Sequence, residues 1–307
     1  MLQNITIFMI VGMLCAPVTL AEEEQQPWLD SLHDSVTGSV NSTAVWLDDF
    51  FADENFNIDE LPNGGARISL GWEPRSRDIM EFETKIRVKF NLPNLENQVD
   101  IVFSDFDEDL ERAPVKAAQN EVLSTQNRFN LALKWTHPQS KDSVWSHRIG
   151  VGRKAQPYAR TRYAARGEFS ESQRYRWEIS GYFYSQEGLG SHFGVQLEQD
   201  LADFSVMRLD NNFFFRDETN DWLWQHNLYA MQQLSDSSAL ITGIYLEGLS
   251  QPNYRIEEYL ISSRWRKNAL REWLYFELEP FILWRRDESF SASYGIALRV
   301  EGFFGDY

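Results

Sequence analysis

The chain is poor in cysteine and in long apolar runs, and its residues 22–60 contain no Lys or Arg. Its one cysteine, Cys15, lies in a segment that we expect to be removed, so the mature protein would have no disulfide, cysteine nucleophile or cysteine metal ligand. Beyond the N-terminal segment, no run approaches the roughly twenty apolar residues of a spanning helix. A disulfide scaffold and a helical membrane protein are therefore not expected.

The N-terminus has the pattern of an export signal. An apolar run from Ile5 to Ala16 is followed by small residues near Ala21 and then by three glutamates. We predict a cleaved signal peptide over residues 1–21, with an uncleaved N-terminal membrane anchor as the alternative. Cys15 follows Leu14 instead of a small residue, so lipoprotein acylation is not expected.

The acidic charge is concentrated in the segment that follows. Net charge is −17, from 46 acidic and 29 basic residues, and residues 22–60 hold eleven acidic residues and no Lys or Arg. The rest of the chain carries 35 acidic against 29 basic residues, a net charge of only −6. An acidic chain of this kind argues against nucleic acid as a partner.

Residues 22–64 form a separate acidic unit. Apolar residues recur at helical spacing around Trp28 and Leu32, and a second apolar set around Trp46 and Phe50 follows Ser42-Thr43. We expect one or two short amphipathic helices, which could plug a lumen, lie on the periplasmic rim or bind a periplasmic partner. Packing of a helix against its own barrel, with no further role, is the simpler alternative. The turn residues 61–65 mark the boundary.

Apolar and polar residues alternate with a period of two in short runs from residue 65 to residue 307. In Phe82–Leu92, apolar residues alternate with charged or polar ones, so a strand there has one apolar and one charged face. A soluble sandwich packs the apolar face into a core, whereas a transmembrane barrel turns it to lipid and the charged face to a wet lumen. The mean hydropathy of −0.45 is compatible with a barrel.

We therefore predict an all-β fold, a closed antiparallel transmembrane β-barrel of about 14 strands. The count would be 12 if 66–73 or 144–153 were not a full strand. Pro157 falls at a strand start, and Pro280, in mid-strand, predicts a bulge or local bend. The predicted strands are 66–73, 81–92, 98–106, 128–137, 144–153, 157–169, 173–184, 191–200, 204–215, 221–232, 238–248, 254–266, 272–285 and 292–304. The longest loop, 107–127, would be extracellular if both termini face the periplasm.

Tryptophan placement favours a membrane. Most of the barrel tryptophans fall near predicted strand ends, as expected for aromatic girdles at the two headgroup levels, and Trp177 is placed deeper. The last strand alternates up to an aromatic terminus, Tyr307.

On these residues the chain from about 66 resembles Gram-negative outer-membrane β-barrel proteins in general. Its segment Trp273–Pro280 is similar to an uncharacterised proteobacterial group with a W-L-x-F-E-x-x-P segment. The resemblance implies location in the outer membrane, contact with its lipid and lipopolysaccharide, and delivery by the barrel assembly machinery. It implies no activity.

Basic residues recur on the predicted inward face, and rings of Arg and Lys favour anions. The candidates for lining a pore are Lys85, Arg87, Lys89, Arg160, Arg162, Arg166, Arg174, Arg176 and His192. A salt-bridged interior is the alternative, since a turn at 170–172 would bring Glu168 opposite Arg174 and Glu178 near Arg162 or Arg166.

We assign no catalytic residue, metal site or cofactor from the sequence. Ser146-His147 and Ser191-His192 are adjacent in strands, so each pair points to opposite faces and cannot form a dyad by itself. The acidic clusters lack the spacing of a calcium loop. We expect a passive channel or structural component for small solutes. The alternatives are an outer-membrane enzyme acting on lipid or lipopolysaccharide, and a scaffold that binds a periplasmic partner through residues 22–64.

Overall fold

The computed structural model describes Trp46, Phe50 and residues 65–77, 82–91, 99–104, 130–202 and 204–305. The predicted signal peptide, most of the segment 22–64, the loop 107–127 and Tyr307 lie outside these residues. Within the described ranges the chain forms fourteen strands. They are β1 Gly65–Trp72, β2 Phe82–Asn91, β3 Val99–Ser104, β4 Asn130–Ser140, β5 Ser143–Gly152, β6 Gln156–Ser170, β7 Gln173–Tyr184, β8 Gly188–Ala202, β9 Ser205–Arg216, β10 Asp221–Ser235, β11 Ser238–Leu249, β12 Arg255–Asn268, β13 Leu274–Arg285 and β14 Ser293–Gly305.

The strands close into one antiparallel barrel. Each strand pairs with its neighbours in sequence, and β1 closes the ring by pairing with β14 from Gly65↔Gly305 to Trp72↔Leu298. Closure leaves no exposed sheet edge, which satisfies the backbone polar groups that lipid could not. The prediction of fourteen strands is confirmed. The twelve-strand alternative is wrong, because β1 and β5 each pair along their length with both neighbours.

The end of the barrel where β1 begins and β14 ends is called the terminal end, and the opposite end is called the far end. Short hairpins join neighbouring strands at the terminal end. The turns between β4 and β5, β6 and β7, β8 and β9, and β10 and β11 each have two residues. Each of these four hairpins also shifts register close to its turn, as a β-bulge does. The far-end connections among strands β5 to β14 are longer, and one contains a short 3₁₀ turn, Arg153–Ala155.

Side-chain burial is inverted relative to a soluble protein. Large apolar side chains on the outer face are exposed, among them Leu70 and Ile149 at 55% each, whereas inward Arg266 and Glu301 are fully buried. Exposing such an apolar belt to water would be unfavourable at about 25 cal/mol for each Å². The same belt has no such cost when it faces lipid. A transmembrane barrel places its apolar face in lipid and its polar face in the lumen.

Aromatic residues form two groups on the outer face. Trp72, Trp222 and Trp284 lie near the far ends of their strands, and Trp265 and Trp273 near the terminal end. Trp177 is the fifth residue of the twelve in β7, opposite Ala165, and its ring centroid lies 5.3 Å from that of Tyr163. Trp177 thus lies farther from the end of its strand than these five tryptophans.

Pro280 interrupts one ladder without shifting it. Pairing between β12 and β13 runs through Ser262↔Phe281, omits two positions and resumes at Trp265↔Leu278 in the same register. Because proline has no N–H to donate, the missing pairs have a direct cause. The predicted bulge is absent from this described ladder, and Pro157 lies at the second residue of β6, as expected. Within the ranges given above, no helix is long and apolar enough to cross a membrane.

Candidate lumen site

The predicted pore-lining residues whose side chains the structure describes share the inward register of the barrel. Arg87, Arg160 and His192 are buried, Arg162 and Arg174 are largely covered, and Arg166 is about half exposed near the terminal end. Lys85, Arg87 and Lys89 lie opposite Ser69, Arg67 and Gly65 on β1. Arg176 lies opposite Arg166 on β6 and Gln196 on β8.

Three cations stand side by side on adjacent strands. Lys134 of β4 lies directly opposite Arg148 of β5, which lies directly opposite Arg160 of β6. We call these three residues the cationic row. Asp100 lies beside Lys134 at one end of the row, and at the other end the Arg160 guanidinium donates to Ser180 Oγ at 3.2 Å. Each member has a partner within the protein.

The cationic row concentrates positive charge on one wall. Like charges directly opposite each other on neighbouring strands repel, so three in succession are unfavourable unless counter-charge is near. Along the row the only acidic side chain in the described register is Asp100. The row is therefore a stretch of the wall where positive side chains follow one another on three adjacent strands.

The next part of the wall is neutralised by acids. Arg162 Nε donates to Glu178 Oε2 at 2.8 Å, and Arg174 binds both Glu198 and Asp200. The register brings Glu168 opposite Arg174, and Glu178 pairs with Arg162, as predicted. The salt-bridged interior predicted as the alternative is therefore present on β6 to β8, beside the cationic row on β4 to β6.

His192 is held on both sides of its ring. Nδ1 lies 3.1 Å from Glu178 Oε1, and Nε2 lies 3.0 Å from Asn212 Oδ1. The ring also stacks on Phe214 with centroids 4.4 Å apart and is 2% exposed. Ser180 lies opposite His192 in the ladder, but neither ring nitrogen is left to take a proton from its hydroxyl. The arrangement is that of a structural histidine.

A buried ion-pair network lies on the inward face of β12 to β14. Arg266 Nη1 lies 2.6 Å from both Glu277 Oε1 and Glu301 Oε2. Arg264 and Arg299 also bind Glu277, and Arg299 continues to Glu73 at 3.0 Å. Such shared pairing compensates the desolvation of charges that would be costly alone.

The wall opposite the cationic row carries a buried apolar cluster beside the ion-pair network. In a ring of fourteen strands, β12 lies across from β5, and the inward side chains around β12 form one buried cluster. We call this cluster the apolar patch. It comprises Val206, Tyr229, Met231, Ala239, Ile241, Tyr245, Leu260, Phe281, Leu283 and Ala297 of the wall, and Phe50 from outside the barrel strands belongs to the same cluster.

Sequence reasoning missed Lys134 and Arg148. Leu133 and Trp135 flank the first, and the apolar Ile149 follows the second, so their inward direction was available from parity. Their adjacency to Arg160 was not, because it depends on the register of two hairpins. Among the described residues, no group of three or more His, Cys, Asp or Glu side chains could hold a metal ion.

A closed barrel with an apolar outer face and a charged interior defines the class of transmembrane β-barrels. No protein-family model matches the chain, and no curated protein matches it. Solved structures with a similar fold include the outer membrane channel DcaP of Acinetobacter baumannii, with 7% identity over 78% of this chain and 96% of that one, at a TM-score of 0.48.

Two further solved structures have a similar fold. The CymD monoaromatic hydrocarbon channel has 6% identity over 82% of this chain and 92% of its own, at a TM-score of 0.48. OmpT, an outer membrane protein of Vibrio cholerae, has 8% identity over 78% of this chain and 96% of its own, at 0.46. At such low identity and TM-scores below 0.5, none of these likenesses says what this barrel does.

Proposed function

We propose that this protein is a passive channel for small anionic solutes in the outer membrane of a Gram-negative bacterium. The cationic row is the single observation that carries the proposal. Lys134, Arg148 and Arg160 lie next to one another on the inward face of the barrel, which is turned away from lipid. Rings and rows of Lys and Arg favour anions over cations in a pore.

The location is supported by the outer surface and the N-terminus. The exposed apolar belt and the two groups of tryptophans suit a bilayer, and the predicted export signal suits delivery beyond the inner membrane. Catalysis by His192 is not favoured, since both of its ring nitrogens are engaged by Glu178 and Asn212.

Single-channel recording in a planar bilayer under a salt gradient tests the proposal. The refolded protein should give discrete steps with a reversal potential displaced toward that of chloride. Folding is checked by heat-modifiable gel mobility, so that silence is not mistaken for misfolding. A reversal potential displaced toward potassium would refute anion selectivity. Trp46→Ala/Phe50→Ala removes two aromatic rings that pack on the inward wall. If neither the folded wild type nor this variant gives conductance steps, the proposed channel function is refuted.

A further inference from the structure

The apolar patch is an unusual lining for the inside of a barrel. The lumen of a transmembrane barrel is normally wet and polar, and apolar side chains there lose the benefit of burial. Yet Ile241 is fully buried, and Tyr229, Leu260 and Phe281 are at most 5% exposed. Inward side chains this buried are covered by other parts of the protein.

Phe50 provides such a cover in the described structure. Its ring packs edge to face on Tyr275 of β13, with centroids 5.6 Å apart, and is 7% exposed. Trp46, one helical turn earlier, stacks on Phe50 at 4.6 Å, and both residues are helical. Residues four apart lie on one face of a helix, so the two rings meet the wall together.

The ion-pair network holds Arg266, whose guanidinium lies close to the rings of Tyr275 and Phe50. The Arg266 guanidinium lies 4.3 Å from the centroid of Tyr275 and 6.0 Å from that of Phe50. The same guanidinium is held between Glu277 and Glu301 at 2.6 Å from each. A cation over an aromatic face is attractive, and a cation held on two sides cannot turn away. The network therefore presents a rigid receptor for an aromatic ring at the terminal end.

We propose that the apolar patch is the docking surface for Trp46 and Phe50 of the same chain, and that these two docked rings narrow the lumen. The patch lies on strands across the ring from the cationic row, so two rings seated on it leave conduction to the basic side. The effect on conduction rests on the proposed channel function, whereas the docking itself does not.

Photo-crosslinking tests the docking without reference to conduction. Benzoylphenylalanine introduced at position 50 of the full chain keeps an aromatic ring there and reacts with nearby C–H bonds on illumination. Mass spectrometry of the folded protein should then find adducts on the peptides of β12 and β13, including Tyr275. Adducts spread over β4 to β6, or no intramolecular adduct in the folded protein, would overturn the docking.

A matched pair of double variants tests the narrowing. Trp46→Ala/Phe50→Ala removes one indole and one phenyl ring from the lumen, and should raise single-channel conductance. Trp72→Ala/Phe82→Ala removes the same two ring types, also stacked in the wild type, from the outer face and should leave conductance unchanged. Equal conductance of the lumen variant and the wild type would overturn the narrowing. Adducts on β13 with no conductance in any variant would overturn the channel and the narrowing but leave the docking standing.

Discussion

Arg148 is the middle member of the cationic row, and its replacement by glutamine tests the origin of selectivity most directly. Its neighbours Lys134 and Arg160 flank it on both sides, so the field of the row is centred on this residue. It is half-buried, whereas Lys134 and Arg160 are buried, so the substitution disturbs packing least at this position. Arg148→Gln should weaken anion selectivity while the barrel still folds.

The size of the effect follows from Coulomb's law. An ion passing about 5 Å from the guanidinium interacts with it by about 0.8 kcal/mol in water-like surroundings. At 0.1 M salt the Debye length of about 10 Å lowers this to about 0.5 kcal/mol, with opposite signs for anions and cations. Removing the charge changes their free-energy difference by about 1 kcal/mol, or about fivefold in the anion-to-cation permeability ratio. At 1 M salt, screening over about 3 Å reduces the change to less than about twofold.

Reversal potentials measured under matched gradients at low and high salt give this ratio for wild type and variant. Lys267→Gln is the matched control, because it removes one positive charge from an exposed position outside the inward set. An unchanged ratio for Arg148→Gln, an equal change for Lys267→Gln, or a change that does not shrink with salt would each refute selectivity by the cationic row.

Two further predictions concern stability. Glu277→Ala should destabilise the barrel by about 3–5 kcal/mol, because it leaves three buried arginines without their shared carboxylate. Denaturant unfolding in detergent, followed by tryptophan fluorescence, measures this; Asp142→Asn, at an exposed pair, should cost no more than about 1 kcal/mol, and equal costs would contradict the reasoning. Hydrogen bonds to Glu218 and Glu187 raise the pKa of Lys154 in its far-end loop above the usual 10.5. A raised pKa means that the stabilisation is complete below the ordinary pKa and is lost as pH rises through the raised one. The melting temperatures of wild type and Lys154→Gln should thus differ slightly at neutral pH and converge at strongly alkaline pH; a constant difference would exclude the ion pairs as its cause.

The alternation of side chains was enough to predict the barrel. A strand has a period of two, so each residue's face follows from its immediate neighbours without any knowledge of the rest of the chain. Charged residues such as Arg87 alternate with apolar ones such as Ile86, and the structure places them in the inward and outward registers respectively. The strand count followed because turn residues interrupt the alternation at the hairpins.

The pairing of predicted charges was partly predictable as well. Glu168 and Arg174 meet because the two-residue turn is followed by a one-residue shift of register, so the turn at 170–172 expected from the sequence gives the same pairing.

The sequence by itself determined the class of fold, the face to which each strand residue points, and the positive character of the inward face of β2, β6 and β7. Only the tertiary structure decided which charges become neighbours. Lys134 reaches Arg160 through two hairpin registers, and Arg299 meets Glu73 across 226 residues of chain where the barrel closes. Phe50 finds Tyr275 in the same non-local way. Side-chain direction is a local property of the backbone, whereas adjacency in a closed barrel is a property of the whole ring.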